Sequence, residues 1–112
     1  YLYISTDGRL NVALFNGSWA YKITTNSAIS ANEKAVFVFT YNGATNFKIY
    51  KNGSLFESMT LAASIVNNTT ALYLVANYSG GVSNPFIGGF DEFAWFTTQL
   101  TAQNVSDLYE AS

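Results

Sequence analysis

Four Asx-Gly pairs cut the first half of this chain into short pieces: Asp7-Gly8, Asn16-Gly17, Asn42-Gly43 and Asn52-Gly53. Such pairs tolerate the positive φ that a tight reversal needs, so between extended segments they mark hairpins. The segments between them alternate in the two-residue period of a strand. Tyr1 to Thr6 alternates up to Asp7-Gly8. Leu10, Val12 and Leu14 then share one face, with Arg9, Asn11 and Ala13 on the other. After Asn16-Gly17, Trp19, Tyr21 and Ile23 share a face. A chain reversed this often has no room for long helices and must bury its apolar faces between sheets.

The remaining segments extend the pattern. Asn26 to Glu33 reads as a polar loop. Lys34 to Tyr41 reads as a buried strand, with Val36 and Val38 on one side and Phe37, Phe39 and Tyr41 on the other. Apolar residues on both sides predict a central position between two layers. Phe47–Lys51 and Ser54–Thr60 form a hairpin around Asn52-Gly53. Leu61–Thr70 is ambiguous, and Ala71–Asn77 is a strand. Ser79–Pro85 is a loop that could rim a site or merely connect. Phe86–Phe96 is the last strand, with Phe93 and Trp95 as core residues. Gly88-Gly89 inside it predicts a bulge or a close backbone contact. Only the tail has helical spacing: Thr101 as N-cap, then Val105, Leu108 and Tyr109. The fold class is all-β, an antiparallel sandwich with one short C-terminal helix, as a single domain over residues 1–112.

Composition excludes several functions. Hydrophobic residues make up 49% of the 112, and charged residues only 11%. The five basic residues are scattered and the net charge is −2, so no basic patch exists for nucleic acid. No apolar run reaches the ~18 residues of a membrane-spanning helix, which argues against insertion by a helix. Tyr1 opens directly in strand-like sequence, which predicts a mature or truncated segment. Cysteine and histidine are both absent. Nucleophilic triads and the commonest general base are thereby excluded.

Three stretches carry a family likeness. Tyr3-Ile4-Ser5-Thr6-Asp7-Gly8-Arg9-Leu10 resembles the strand–Asp-Gly–strand hairpin of laminin-G-like, concanavalin A-like jelly rolls. Phe37–Gly43 followed by Lys48–Ser54 is similar to their paired central strands. Gly88-Gly89-Phe90-Asp91-Glu92-Phe93-Ala94-Trp95-Phe96, Leu100-Thr101 and Val105–Tyr109 resemble the closing strand, Leu-Thr turn and short helix. Phe90 stands where Ile or Leu is usual, and Gln99 where Ala is common. The resemblance implies a jelly roll whose first strands are missing from this chain. A longer chain, a neighbouring subunit donating strands, or a reduced sandwich would each account for that; a longer chain is preferred.

The chemistry on offer is sparse. A glucanase needs two carboxylates flanking a sugar bond. Asp7, Glu33, Glu57, Asp91, Glu92, Asp107 and Glu110 offer no pair at i, i+2 or i, i+4 within a strand, so the expectation is no enzyme. The resemblance raises calcium at Asp91, against a preferred reading in which that carboxylate caps a turn. No cofactor is otherwise implied. Trp19, Tyr21, Tyr41, Asn42, Asn77 and Tyr78 lie near turns and are the ligand-binding candidates, since sugars stack on aromatic faces beside amides. The competing reading makes these aromatics core and cross-strand pairs. Asn16, Asn52, Asn67, Asn68, Asn77 and Asn104 head Asn-x-Ser/Thr triplets. They are glycan acceptors in a secreted chain, or chance triplets in an Asn-rich β protein. The expected function is an extracellular recognition or adhesion module for a glycan or a protein surface. The alternative is a structural subunit of a virion, appendage or cell envelope, self-assembled through sheet edges.

Overall fold

The computed structural model describes residues 1–64, 77–78, 82–83 and 87–112. The chain forms two compact units: Tyr1–Val66 with Thr98–Ser112, and Asn67–Thr97.

The first unit holds two three-stranded antiparallel sheets. Sheet A contains β1 (Leu2–Ile4), β2 (Leu10–Phe15) and β3 (Trp19–Ile23) in that order. Sheet B contains β4 (Phe37–Tyr41), β5 (Asn46–Lys51) and β6 (Ser54–Thr60) in that order. Leu10 and Val12 from β2 meet Phe47 and Ile49 from β5, with Ala28 and Leu61 filling the same cluster. Val12 is 1% exposed and Ile49 is fully buried. Alternation along each strand delivers one face to this core, as a two-sheet sandwich requires.

The Asx-Gly pairs build the turns. At the β5–β6 connection Asn52 and Gly53 have φ of 50° and 82°. Both central residues are left-handed, as in the primed turns whose twist matches a hairpin. The Asp7-Gly8 reversal is longer than a two-residue loop. Ser5 donates its N–H to Arg9 O, Gly8 donates to Ser5 O, and Gly8 has φ 79°. Asn42 closes its turn with a side chain: Oδ1 accepts from the N–H groups of Ala44, Thr45 and Asn46 at 2.9–3.0 Å.

A register shift at Ile49/Tyr50 puts a bulge in β6. The extra residue lets Phe56 and Met59 both pack against the core despite their odd spacing. The loop after β3 is not purely polar: Ala28 is buried in the core, held by its N–H to Gly8 O at 2.8 Å. Glu57 on β6 ties that region to sheet B, accepting from the N–H and the hydroxyl of Thr25.

Helix α1 (Ala102–Ala111) begins where the sequence predicts. Thr101 is the N-cap, and with Asn104 it forms a reciprocal capping box. The helix buries Val105, and the Tyr109 ring lies against Gly53, where an added Cβ would sit 2.9 Å from Cδ1.

Three expectations change. The strand predicted over Lys34–Tyr41 is confined to β4, and β4 is at an edge of its sheet among the described residues. The ladder ends at Val36, whose carbonyl accepts the Asn52 N–H while its own N–H goes to Asn52 Oδ1 instead of a backbone carbonyl. Among the described residues β5 is the middle strand of sheet B. In the second unit, β7 (Asn77–Tyr78) pairs antiparallel with β8 (Val82–Ser83). Residues 87–97 form no strand, and Phe93 and Trp95, expected in a core, are exposed, Trp95 by 77%. An added Cβ on Gly89 would meet nothing within 4 Å among the described residues, so no close backbone contact there explains that glycine.

Two outcomes test this packing. Ile49→Ala will destabilise the chain by roughly 2–5 kcal/mol in denaturant unfolding, the usual cost of a fully buried large-to-small change. Gly8 and Gly43 share φ 79°, but a Cβ on Gly8 collides with the Ile29 carbonyl and the Ser27 hydroxyl, while one on Gly43 meets nothing among the described residues. Gly43→Ala will therefore cost about 1–2 kcal/mol from backbone strain alone, and Gly8→Ala clearly more. Equal losses would show that the Gly8 loop yields freely.

Candidate functional site

The face of sheet A that points away from the core is aromatic. Cross-strand register places Tyr3 opposite Asn11, Asn11 opposite Ile23, Ala13 opposite Tyr21 and Phe15 opposite Trp19. Ala13 also donates its N–H to Tyr1 O. Residues opposite one another share a face. Tyr1, Tyr3, Phe15, Trp19 and Tyr21 thus line one surface, and all five are exposed, Trp19 by 57%. The Tyr1 and Trp19 rings stack with centroids 5.3 Å apart at 24°, and Phe15 tilts against Trp19 at 5.0 Å.

A polar chain under this surface holds Tyr21 in place. The Tyr21 hydroxyl donates to Asn11 Oδ1. Asn11 is 1% exposed, and its Nδ2 donates to Ser5 Oγ at 3.2 Å. Ser5 Oγ donates to Asp7 Oδ1 at 2.7 Å, and Arg9 Nε pairs with Asp7 Oδ2 at 2.6 Å. A buried amide satisfied on both sides fixes its neighbours' orientation. The Tyr3 phenol sits above its ordinary pKa of 10.0, chiefly through hydrogen bonding with Tyr21. It is neutral at physiological pH.

Four of the six ligand-binding candidates have described side chains, and they fall on two different sheets. Trp19 and Tyr21 share the aromatic face. Tyr41 and Asn42 belong to the β4–β5 hairpin of sheet B, where their polar atoms are engaged. The Tyr41 hydroxyl bridges the carbonyls of Leu61 and Ala63. Asn42 caps its turn. Asn77 and Tyr78 contribute backbone to β7, and their side chains lie outside the described residues. Tyr1, Tyr3 and Phe15 were not among the candidates. Their signal was the alternation itself, once Tyr1 and Tyr3 are read across to Phe15, Trp19 and Tyr21.

Asp91 is exposed, and its Oδ1 accepts the Glu92 N–H at 2.9 Å. Among the described residues no three acidic side chains gather as a metal site. Of the triplet asparagines, Asn16, Asn52 and Asn104 are exposed. Asn52 Oδ1 accepts from Val36, and Asn104 Oδ1 accepts from the Thr101 N–H. Asn67, Asn68 and the Asn77 side chain lie outside the described residues.

Asp7 supplies a pH test. Hydrogen bonds from Ser5 and Arg9 lower its carboxyl from 3.8 to about 2. A carboxyl depressed in the folded state stabilises that state above its unfolded pKa, and the contribution is lost as pH falls through the folded value. Asp7 will titrate near 2 by NMR. Between pH 3.8 and 2 the wild type will lose stability faster than Asp7→Asn. Parallel pH profiles for the two would remove Asp7 as an anchor of the Ser5–Asn11–Tyr21 chain.

Comparison with known proteins agrees with the architecture. Residues 1–106 match the laminin G 3 family, described as the concanavalin A-like lectin/glucanases superfamily. No curated protein matches the sequence significantly. Among solved structures, a crystal structure of an S-layer domain-containing protein from Clostridium thermocellum ATCC 27405 superposes with a TM-score of 0.61 at 17% identity. The match covers 96% of this chain and 54% of that one, so this chain spans about half the length of that structure. With two antiparallel sheets, a C-terminal helix and a family match over nearly its whole length, the chain belongs to the laminin-G-type branch of the concanavalin A-like lectin/glucanase superfamily.

Proposed function

We propose that this chain is a non-catalytic recognition module of a cell surface or extracellular protein, binding carbohydrate on the outer face of sheet A. The carrying observation is the exposed aromatic row of Tyr1, Tyr3, Phe15, Trp19 and Tyr21. Pyranose rings present patches of C–H groups that pack on aromatic faces, while tyrosine hydroxyls and amides meet the sugar hydroxyls. The row is uncharged, which favours a neutral glycan. Its alternating positions, from Tyr1 and Tyr3 through Asn11 to Trp19 and Tyr21, include no carboxylate. Hydrolysis by the two-carboxylate route would need acids supplied from elsewhere. Family membership supports sugar recognition at the level of the fold, which alone does not fix function.

A second reading, a structural module of a surface layer, draws on the S-layer neighbour and on β1, β3, β4 and β6 being sheet edges among the described residues. Concentration-dependent self-assembly in sedimentation runs, with a blank glycan screen, would favour it.

A screen of neutral polysaccharides followed by calorimetry tests the first reading. Trp19→Ala will weaken the best binder by roughly tenfold or more, as central aromatic contacts do, and will leave the melting temperature nearly unchanged because Trp19 is exposed. A blank screen, or a Trp19→Ala variant that binds like wild type, would sink it.

A further inference from the structure

A separate pocket lies on the other side of the sandwich. It occupies about 300 Å³ and is lined by Thr40, Lys48 and Tyr50 from sheet B and by Gln99, Leu100, Thr101 and Ala102 at the start of α1. Thr40 and Lys48 are cross-strand partners, and Tyr50 follows two residues on, so the three share the face turned away from the core. None belongs to the aromatic row.

Three features give this pocket one chemical character. First, Thr40 is only 4% exposed, and its hydroxyl has no hydrogen-bond partner among the described residues. A buried hydroxyl left unanswered costs about 1–3 kcal/mol, so such groups normally have a partner, protein or otherwise. Second, the pocket holds the N-terminus of a ten-residue helix. The capping box serves the N–H groups of Thr101 and Asn104. The N–H of Ala102, at the pocket wall, has no intrahelical acceptor because the chain lacks the preceding turn. No acidic residue occupies the first helical turn, so the partial positive charge there is not answered from within the helix. Third, Lys48 adds a full positive charge and makes no ion pair among the described residues. Beside the acceptor oxygens of Gln99 and the hydroxyls, the pocket thus offers an uncapped amide N–H, a buried hydroxyl that can donate, and a cation.

We infer that this pocket binds a small oxyanion, a sulfate or carboxylate group. Lys48 supplies the charge, the Ala102 N–H a directed bond, and the Thr40 hydroxyl a third donor from the floor. The neutral aromatic face of sheet A and this cationic corner would then read different chemical groups, and either can fail without the other.

The full chain, labelled with ¹⁵N, tests this at constant ionic strength. It would be titrated with sodium sulfate, with sodium glucuronate and, as the neutral control, with glucose. Saturable shifts of the Thr40, Lys48, Thr101 and Ala102 amides with sulfate, glucuronate or both, and none with glucose, are expected. Sulfate alone would mark an inorganic oxyanion site; glucuronate as well would mark a site open to acidic sugars. Lys48→Gln will weaken binding roughly tenfold, the scale of a charge-assisted hydrogen bond. Thr40→Val keeps the shape and removes the unanswered hydroxyl, so it will fold at least as well as wild type and bind more weakly. Linear, non-saturating shifts, or unchanged affinity in both variants, would overturn the inference.

Discussion

Two small sheets share one thin core, and the side-chain alternation that fills it decides everything on the outside. Val12 and Ile49 are almost wholly removed from water between sheets A and B. A strand has a period of two, so placing Leu10 and Val12 inward places Asn11, Ala13 and Phe15 outward. The pairing register passes that choice to β1 and β3, and Tyr3, Trp19 and Tyr21 must follow. A one-residue slip would bury the aromatic row and expose Leu10 and Val12. The turns guard against that slip. Gly8 is pinned under the Ile29 carbonyl, and Asp7 is held by Ser5 and Arg9.

This coupling explains which parts of the molecule were legible in the sequence. Hairpins are local, so Asp7-Gly8, Asn16-Gly17, Asn42-Gly43 and Asn52-Gly53 announced the reversals, although the Asp7-Gly8 loop is longer than its dipeptide suggests. The helix is local too, and Thr101 marked its start. Strand order is not local. The apolar run through Phe37–Tyr41 reads as buried on both faces, but its place at an edge of sheet B among the described residues depends on which segments pair and not on how apolar each one is. The same holds for Phe93 and Trp95, whose alternation looks like a core strand while the rings are exposed.

The candidate site divides along the same line. Trp19 and Tyr21 were legible as aromatics beside a turn. Tyr1, Tyr3 and Phe15 join them only through cross-strand register, which no single segment contains. Tyr41 and Asn42 have the same residue types, but the Tyr41 hydroxyl reaches carbonyls 20 and 22 residues away and Asn42 closes its own turn. Residue type proposes a ligand group; non-local hydrogen bonding decides whether its polar atoms are free to act as one.

Scarcity of charge sharpens the contrast between the two outer faces. With 11% charged residues, each charge used in the framework is withdrawn from recognition. Asp7 pairs with Arg9, Glu33 with Lys51, and Glu57 holds Thr25. Hydrogen bonding to Lys51 and to the Ser30 N–H keeps Glu33 below its ordinary pKa, so that pair persists toward acid pH. What these pairs leave on the outer face of sheet A is neutral and aromatic. What they leave on the outer face of sheet B, beside the start of α1, is Lys48. The sandwich therefore presents stacking surface on one side and a localised positive corner on the other, and both follow from which strands the core draws inward.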